Sequence, residues 1–426
     1  MRTWNDLYKM LKNGEMDQSL IQTGCEDINA YRTRATEVMN GFEKTFGVKE
    51  DTLAALCSAP GRTEICGNHT DHQHGHVLAA AVNLDFLACV SPNGTQTVHF
   101  QSEGWPMTTV DLSDLEQQEA EKETTASLVR GVMAELEKAG YTIGGFDMYA
   151  VSNVLPGSGL SSSAACEILL GVAGNHLFCQ DELDAVTLAK IGQKAENQYF
   201  GKPSGLMDQT ASSVGDAVAI DFADPSAPIV RSVTANLEEL GLALCIVDCG
   251  ADHAALTGEY ASIPQEMEKV AAFFGKKVLR EVQEEEVLKA MPQLRRAVGD
   301  RAVLRALHFY ADDRRAVEEA DALERRDRDA FLQLVKESGR SSWELLQNIT
   351  PAGAVEAQDM AIALEAAEIA LNGKGACRVH GGGFAGTIQA FVPTESVSEF
   401  CEKMELMLKK GCCHVLNIRP TGGIVL

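Results

Sequence analysis

One unit restricts the fold of this chain more than any other: a strand that runs into a glycine–serine loop, which in turn opens a helix. Phe146, Met148 and Ala150 alternate at the strand period, leading to Leu155. The loop and helix start follow as Pro156-Gly157-Ser158-Gly159-Leu160-Ser161-Ser162-Ser163-Ala164-Ala165, with the helix expected to begin near Ser161–Ser163. Gly157 and Gly159 admit positive φ and let backbone N–H groups converge on an anion. The helix start adds unpaired N–H donors and a partial positive charge. The serine hydroxyls can bind phosphate oxygens or a metal. The stretch is not a Walker loop, because no Gly-x-x-x-x-Gly-Lys-Ser/Thr occurs in the chain, and Ser162 breaks a Gly-x-Gly-x-x-Gly pattern. Taken alone it also reads as a flexible turn before an N-capped helix.

The surrounding pattern predicts an α+β protein. Ile28 to Phe46 carries apolar residues at helical spacing and stops at Gly47. Val77–Val82, Phe86–Val90 and Thr97–Phe100 read as strands, and Thr124–Lys138 as a helix ended by Gly140. A further helix is expected over Leu183–Phe200 and a strand over Ala217–Phe222. Asp224-Pro225-Ser226-Ala227-Pro228 reads as an interdomain linker, dividing the chain into domains at 1–224 and 225–426. Beyond it come a strand at Leu242–Val247, a charged helical region from Pro264 to Leu371, and strands at Ala376–Val379 and Thr387–Val392 around a glycine cluster.

Charge narrows the partners. The chain of 426 residues holds 61 acidic against 37 basic residues, a net charge of −24. Such a surface repels phosphate backbones and anionic lipid, so neither nucleic acid nor membrane is expected as a partner. A monomer or weak oligomer is expected. The 12 cysteines fall irregularly, several inside apolar runs, and read as small buried hydrophobes in a reducing compartment. With no apolar leader at the N-terminus, a cytoplasmic location is expected.

Three more motifs accompany the loop. Pro60-Gly61-Arg62-Thr63-Glu64-Ile65-Cys66-Gly67-Asn68-His69-Thr70-Asp71-His72 precedes it. Glu196-Asn197-Gln198-Tyr199-Phe200-Gly201-Lys202-Pro203-Ser204-Gly205-Leu206-Met207-Asp208-Gln209 and Val379-His380-Gly381-Gly382-Gly383-Phe384-Ala385-Gly386 follow it. In this order the four motifs resemble the galactokinase branch of the GHMP kinase superfamily, and the resemblance spans nearly the whole chain.

The resemblance implies a two-domain GHMP kinase architecture with its active site in the interdomain cleft. It implies phosphorylation of the anomeric (C1) hydroxyl of galactose or a close relative by ATP with Mg²⁺. Asp208 would accept or orient the hydroxyl proton, and Arg62 would stabilise the developing oxyanion. Asn68, His69, Asp71, Gly205 and Tyr260 would hold the sugar. The loop Pro156, Gly157, Ser158, Gly159, Leu160, Ser161, Ser162 and Ser163, with Gly382 and Gly383, would hold the nucleotide. Ser163 and Glu196 would bind Mg²⁺.

Two departures bear on the sugar. Galactokinases usually carry glutamate where this chain has Asn68, and asparagine where it has Glu64. The family glutamate faces the C6 end of the sugar, where a neutral amide would not repel a substrate carboxylate. The run His69 to Gln73 also resembles plant galacturonate kinases, so a uronic acid is an alternative substrate. A non-catalytic sugar and ATP sensor is a second alternative. His69, His72, His74 and His76 fall close together; alternation at the last three would put them on one face of a strand, and solvated or hydrogen-bonded side chains are expected there rather than a metal site.

Overall fold

A computed structural model describes residues 1–155, 159–202, 204–250 and 256–426. The first sheet contains β1 (Arg2–Thr3), β2 (Leu53–Cys66), β3 (His76–Pro92), β4 (Thr97–Ser102), β5 (Thr108–Asp111), β6 (Phe146–Ser152), β7 (Ala217–Asp221) and β8 (Ile229–Val233). The second contains β9 (Leu242–Asp248), β10 (Ala376–Val379), β11 (Thr387–Pro393) and β12 (Cys413–Leu416), and the C-terminal β13 (Ile424–Val425) returns to pair with β2. The order is β1-β2-β3-β6-β4-β5 in the first sheet and β10-β11-β9-β12 in the second. All pairings are antiparallel except β4 with β6. This is an α+β fold.

Alternation along β2 and β3 assigns each helix layer a face. Leu56, Leu87 and Cys89 pack under α1 (Trp4–Asn13), α2 (Asp17–Ile21) and α3 (Ile28–Phe46). Cys57, Ala88 and Val90 face the opposite way, against α4 (Thr125–Lys138), α5 (Ser162–Phe178) and α6 (Ala185–Lys194). The helix α7 (Met207–Val214) follows and packs against Val77, Ala79 and Ile220.

Beyond the first sheet come α8 (Thr257–Phe273), α9 (Glu284–Val298), α10 (Asp300–Glu324), α11 (Arg328–Ser341), α12 (Asp359–Leu371) and α13 (Val397–Met407); α8 and α9 pack with α10 in a helical core of their own, while α12 and α13 cover the second sheet. One continuous core joins the two sheets: Ile65, Leu78 and Val82 meet Leu244, Ile246 and Phe391, with Ala316, Ala320 and Val335 of α10 and α11.

Several elements differ from the sequence expectation. Asp224–Pro228 is not a linker between sheets. It is the turn of the β7–β8 hairpin, with Asp221 opposite Ile229, so the first sheet continues to Val233. Proline and small residues suit a tight turn as well as a linker. The stretches 77–82 and 86–90 form one strand of 17 residues, β3, whose first half pairs with β7 and second half with β6. Residues 71–73 form a single 3₁₀ turn and His74 is left-handed, so His72, His74 and His76 share no strand face. No described helix is long and apolar enough to cross a membrane.

Candidate active site

Irregularities in regular elements place the reactive side chains. The β2–β3 register shifts between Pro60 and Arg62 and again between Glu64 and Cys66. Such shifts re-aim side chains, here those of Arg62 and Glu64. Gly61 lets the phosphate-loop backbone lie directly on β2, because a Cβ there would stand 2.8 Å from the Leu160 carbonyl oxygen. The Arg62 N–H donates to that same carbonyl at 3.0 Å. Past α6, residues Ala195–Phe200 widen into a π-helical turn ended by Gly201 at φ +92°, and this turn carries Glu196. The expected helix over 183–200 is present as one continuous run from Ala185 to Phe200, with its distortion at the site.

Arg62 and Asp208 meet although they are 146 positions apart. Arg62 Nε donates to Asp208 Oδ1 at 2.7 Å and Nη2 to Oδ2 at 2.6 Å. Arg62 Nη1 donates to the Gly159 carbonyl, and Ser161 Oγ to Asp208 Oδ2 at 2.6 Å. Burial works against the ionised form of Asp208. The Arg62 charge and the hydrogen bonds from Arg62 and Ser161 outweigh it, so the carboxyl lies below its usual range.

Ser161 sits at φ 56°, ψ 64° and heads α5 without capping it. Its hydroxyl is spent on Asp208, which leaves the first N–H groups of α5 open toward an anion. Leu160 differs from its neighbours in the loop: its side chain is fully buried in the joint core, and only its backbone faces the site. Pro156, Gly157 and Ser158 lie outside the described residues.

Behind Ser163 stands a carboxylate cluster. Ser163 Oγ donates to Glu196 Oε1 at 3.2 Å. Lys202 Nζ donates to the same oxygen at 3.1 Å, and Ser204 Oγ to Oε2. Gln209 Nε2 bridges Glu196 Oε2 and Glu167 Oε2, both at 2.9 Å. Burial and the nearby Glu196 charge raise the Glu167 carboxyl well above its usual range. Burial disfavours the Lys202 ammonium, but Glu196 more than offsets it and holds the charge in place. The motif reading missed Lys202 and Glu167. Glu167 follows Ser163 by one helical turn on the same face, which was the available signal.

The sugar-side residues line a cavity of about 260 Å³ that also includes Arg62, Lys202 and Asp208. Asn68, His69, Asp71, Gly205 and Gly382 all border it. Gly205 is required for close approach, because a Cβ there would collide with the Asp71 carboxylate. His69 Nε2 lies 3.0 Å from the Gly382 carbonyl, and burial together with His72 lowers its pKa, leaving it neutral.

Asn68 is fully buried. Its Nδ2 donates to Glu64 Oε1 at 3.0 Å and to the Gly381 carbonyl at 2.6 Å, while its Oδ1 accepts from Asn348 Nδ2 at 2.7 Å. Glu64 is further held by Arg378 at 3.0 Å. Tyr260 is not on the cavity wall. Its hydroxyl donates to the Gly383 carbonyl at 2.8 Å and its ring packs edge-on against Phe384, so it braces the glycine turn from behind. A larger cavity, of about 760 Å³, lies along β9 and β12 and contains none of these residues.

The Arg62–Asp208 pair borders the cavity, Ser161 at the start of α5 bonds to Asp208, and the Ser163–Glu196 contact lies one step behind, on two sheets joined by one core. Residues 127–216 match the family of GHMP kinases N terminal domain, and residues 40–92 match the galactokinase galactose-binding signature. The chain is 31% identical over 353 residues to a galactokinase of Actinobacillus pleuropneumoniae, covering 81% of this chain and 87% of that protein. It is 31% identical over 369 residues to a galactokinase of Glaesserella parasuis, covering 84% and 89%. Its fold resembles the crystal structure of Lactococcus lactis galactokinase complexed with galactose, with TM-score 0.78 and 24% identity, over 92% of this chain and 100% of that one. Methanococcus jannaschii mevalonate kinase is more distant, at TM-score 0.60 and 13% identity, over 86% and 98%. The chain belongs to the galactokinase family of GHMP kinases, and it is a sugar kinase that uses ATP.

Proposed function

We propose that the protein transfers the γ-phosphoryl group of ATP to the anomeric (C1) hydroxyl of galactose or a close relative. The observation that carries this reading is the two-pronged Arg62–Asp208 pair, set between the sugar-sized cavity and the open N-terminus of α5. Phosphoryl transfer needs positioning and charge neutralisation more than covalent chemistry. The α5 N–H groups and loop backbone, with Gly382 and Gly383, cradle the phosphates. Asp208, held ionised, orients the C1 hydroxyl and receives its proton as the O–P bond forms. Arg62 stabilises the negative charge that builds on the oxygen. His69, Asp71 and the Gly205 backbone select the sugar hydroxyls, while Tyr260 acts by bracing the glycine turn.

The oxygen-only pair of Ser163 and Glu196 suits Mg²⁺. When bound, the ion supplies charge neutralisation at the phosphates. Lys202 is ion-paired with the same Glu196 oxygen, at 3.1 Å. The two-lobe reading, with the site between the lobes, belongs to the same proposal. The β7–β8 hairpin moves its boundary from residue 224 to the segment between Val233 and Leu242.

A uronic acid substrate has one observation in its favour. The carboxylate expected at position 68 stands instead at Glu64, where Arg378 and Asn68 occupy it. Neither residue presents an unpaired negative charge to a substrate carboxylate. ADP release across galactose, talose, arabinose, galacturonate and glucuronate separates the readings. Turnover of galactose far above all others removes the uronate reading. Saturable sugar binding without ADP release from any of them removes the kinase proposal.

A further inference from the structure

Three sulfur atoms converge on the face of the second sheet that α12 and α13 cover. Cys245 lies on β9, Cys413 on β12 and Cys401 on α13. Their Sγ atoms all lie within 4.8 Å of one another, and those of Cys401 and Cys413 are 3.0 Å apart. Among the described residues this is the one group of three or more potential ligands packed so closely.

The convergence comes from the fold, not from sequence spacing. Cys413 pairs with Val247 and Val415 with Cys245, so Cys245 and Cys413 are diagonal neighbours on one face of adjacent strands. The helix α13 lies across that face and supplies Cys401, with Phe400 and Met404 packed into the core around it. Cys245 is fully buried; Cys401 and Cys413 are half-buried, which leaves a path from solvent.

We propose that Cys245, Cys401 and Cys413 form a three-thiolate site for a thiophilic divalent cation of the Zn²⁺ class. Zinc binds thiolate at about 2.3 Å, which places sulfurs around one ion roughly 3.8 Å apart. One present spacing is 3.0 Å and none exceeds 4.8 Å, so closure needs side-chain adjustment and no rebuilding of the sheet. Binding exchanges three S–H protons, released to solvent, for three S–metal bonds. Three thiolates and a divalent ion leave a net charge of −1, and the half-exposed side admits water as fourth ligand. The ion would pin α13 to β9 and β12, near the Lys409–Asp248 ion pair of 2.7 Å that ties the same region.

The test uses the full chain, reduced and freed of metal, titrated with Cd²⁺ under nitrogen. The ultraviolet thiolate-to-cadmium charge-transfer band is expected to saturate at one ion per chain. The double variant Cys401→Ser/Cys413→Ser, which spares the buried Cys245, is expected to lose the band and keep kinase activity. Zn²⁺ is expected to raise the melting temperature of the parent chain and leave the double variant unchanged. The proposal fails if the band is substoichiometric or persists in the double variant, since the other cysteines then supply it. It also fails if protein kept in reductant shows a Cys401–Cys413 disulfide, read as a mass loss of two hydrogens.

Discussion

Arg62 grips Asp208 with two parallel N–H donors, Nε on Oδ1 at 2.7 Å and Nη2 on Oδ2 at 2.6 Å. The planar fork fixes the orientation of the carboxylate as well as its charge. Asp208→Ala is therefore expected to cut turnover by about 10²–10⁴-fold, the usual range for losing a positioned proton acceptor. Sugar affinity by calorimetry should change little, because the cavity keeps its other walls. Arg62→Lys should also be strongly impaired, since an ammonium cannot reproduce the fork. Parent-like ADP release from Asp208→Ala would rule out the assigned role.

The pH dependence follows from the same pair. Asp208 has its pKa depressed in the fold, so its contribution to stability is present above the unfolded value of about 3.9 and is lost as pH falls through the folded value. Any acid limb of kcat/KM in the range from about pH 5 to 7 must then come from another group. A pH profile in which Asp208→Glu shifts a limb near neutrality would contradict this.

Glu196 is the hinge of the metal reading. Glu196→Gln keeps the size of the side chain and an acceptor for Ser163 and Lys202 but removes the charge. The Mg²⁺ concentration for half-maximal activity is expected to rise about 10-fold or more. Unchanged Mg²⁺ dependence, with kcat reduced, would assign Glu196 to holding Lys202 instead.

Much of this arrangement could be read from the residues alone, and the part that could not has physical causes. The helix Ile28–Phe46 was legible to its ends because Asp27 caps it and Gly47 stops it. The pairings of Arg62 with Asp208 and of Ser163 with Glu196 agree with the motif reading, because each residue sits in a short local motif. The turn at Asp224–Pro228 was misassigned because proline marks hairpins and linkers alike. The strand face considered for His72, His74 and His76 does not form because alternation presumes an extended backbone, and Thr70 instead closes a turn through bonds to the Gly67 and His76 carbonyls. Glu167 and Lys202 lay within reach of local spacing from Ser163 and Glu196, whereas the three-cysteine cluster depends on contacts between distant elements, which no local pattern encodes.

Glu319 gives a stability prediction with an unusual sign. It is fully buried on α10, and among the described residues its carboxyl oxygens have no close hydrogen-bond donor beyond the Cys66 thiol beside them, with Arg378 near. Burial pushes its pKa up to about 8. The folded state keeps the proton while the unfolded state releases it near pH 4.3, so stability falls as pH rises between those values. Glu319→Gln is expected to raise the melting temperature at pH 8, with the gain shrinking to nothing toward pH 4. A gain independent of pH would refute the assignment.

Glu64 and Asn68 form one hydrogen-bonded pair, so their two departures from the family pattern amount to an exchange of partners across a 3.0 Å contact. Asn68→Glu alone would bury a second carboxylate against Glu64 and remove the donor to the Gly381 carbonyl. Glu64→Asn alone would leave the buried Arg378 without its carboxylate. Each single change is expected to cost about 3–5 kcal/mol, as for a broken buried ion pair. The double exchange keeps one carboxylate within the pair and should cost less than the sum, with a coupling of about 1–3 kcal/mol in urea unfolding. It also brings a negative charge to the position expected to face C6, so the ratio of galactose to galacturonate turnover should rise. Strict additivity of the two substitutions, with no change in that ratio, would show that the pair sets neither the packing nor the sugar.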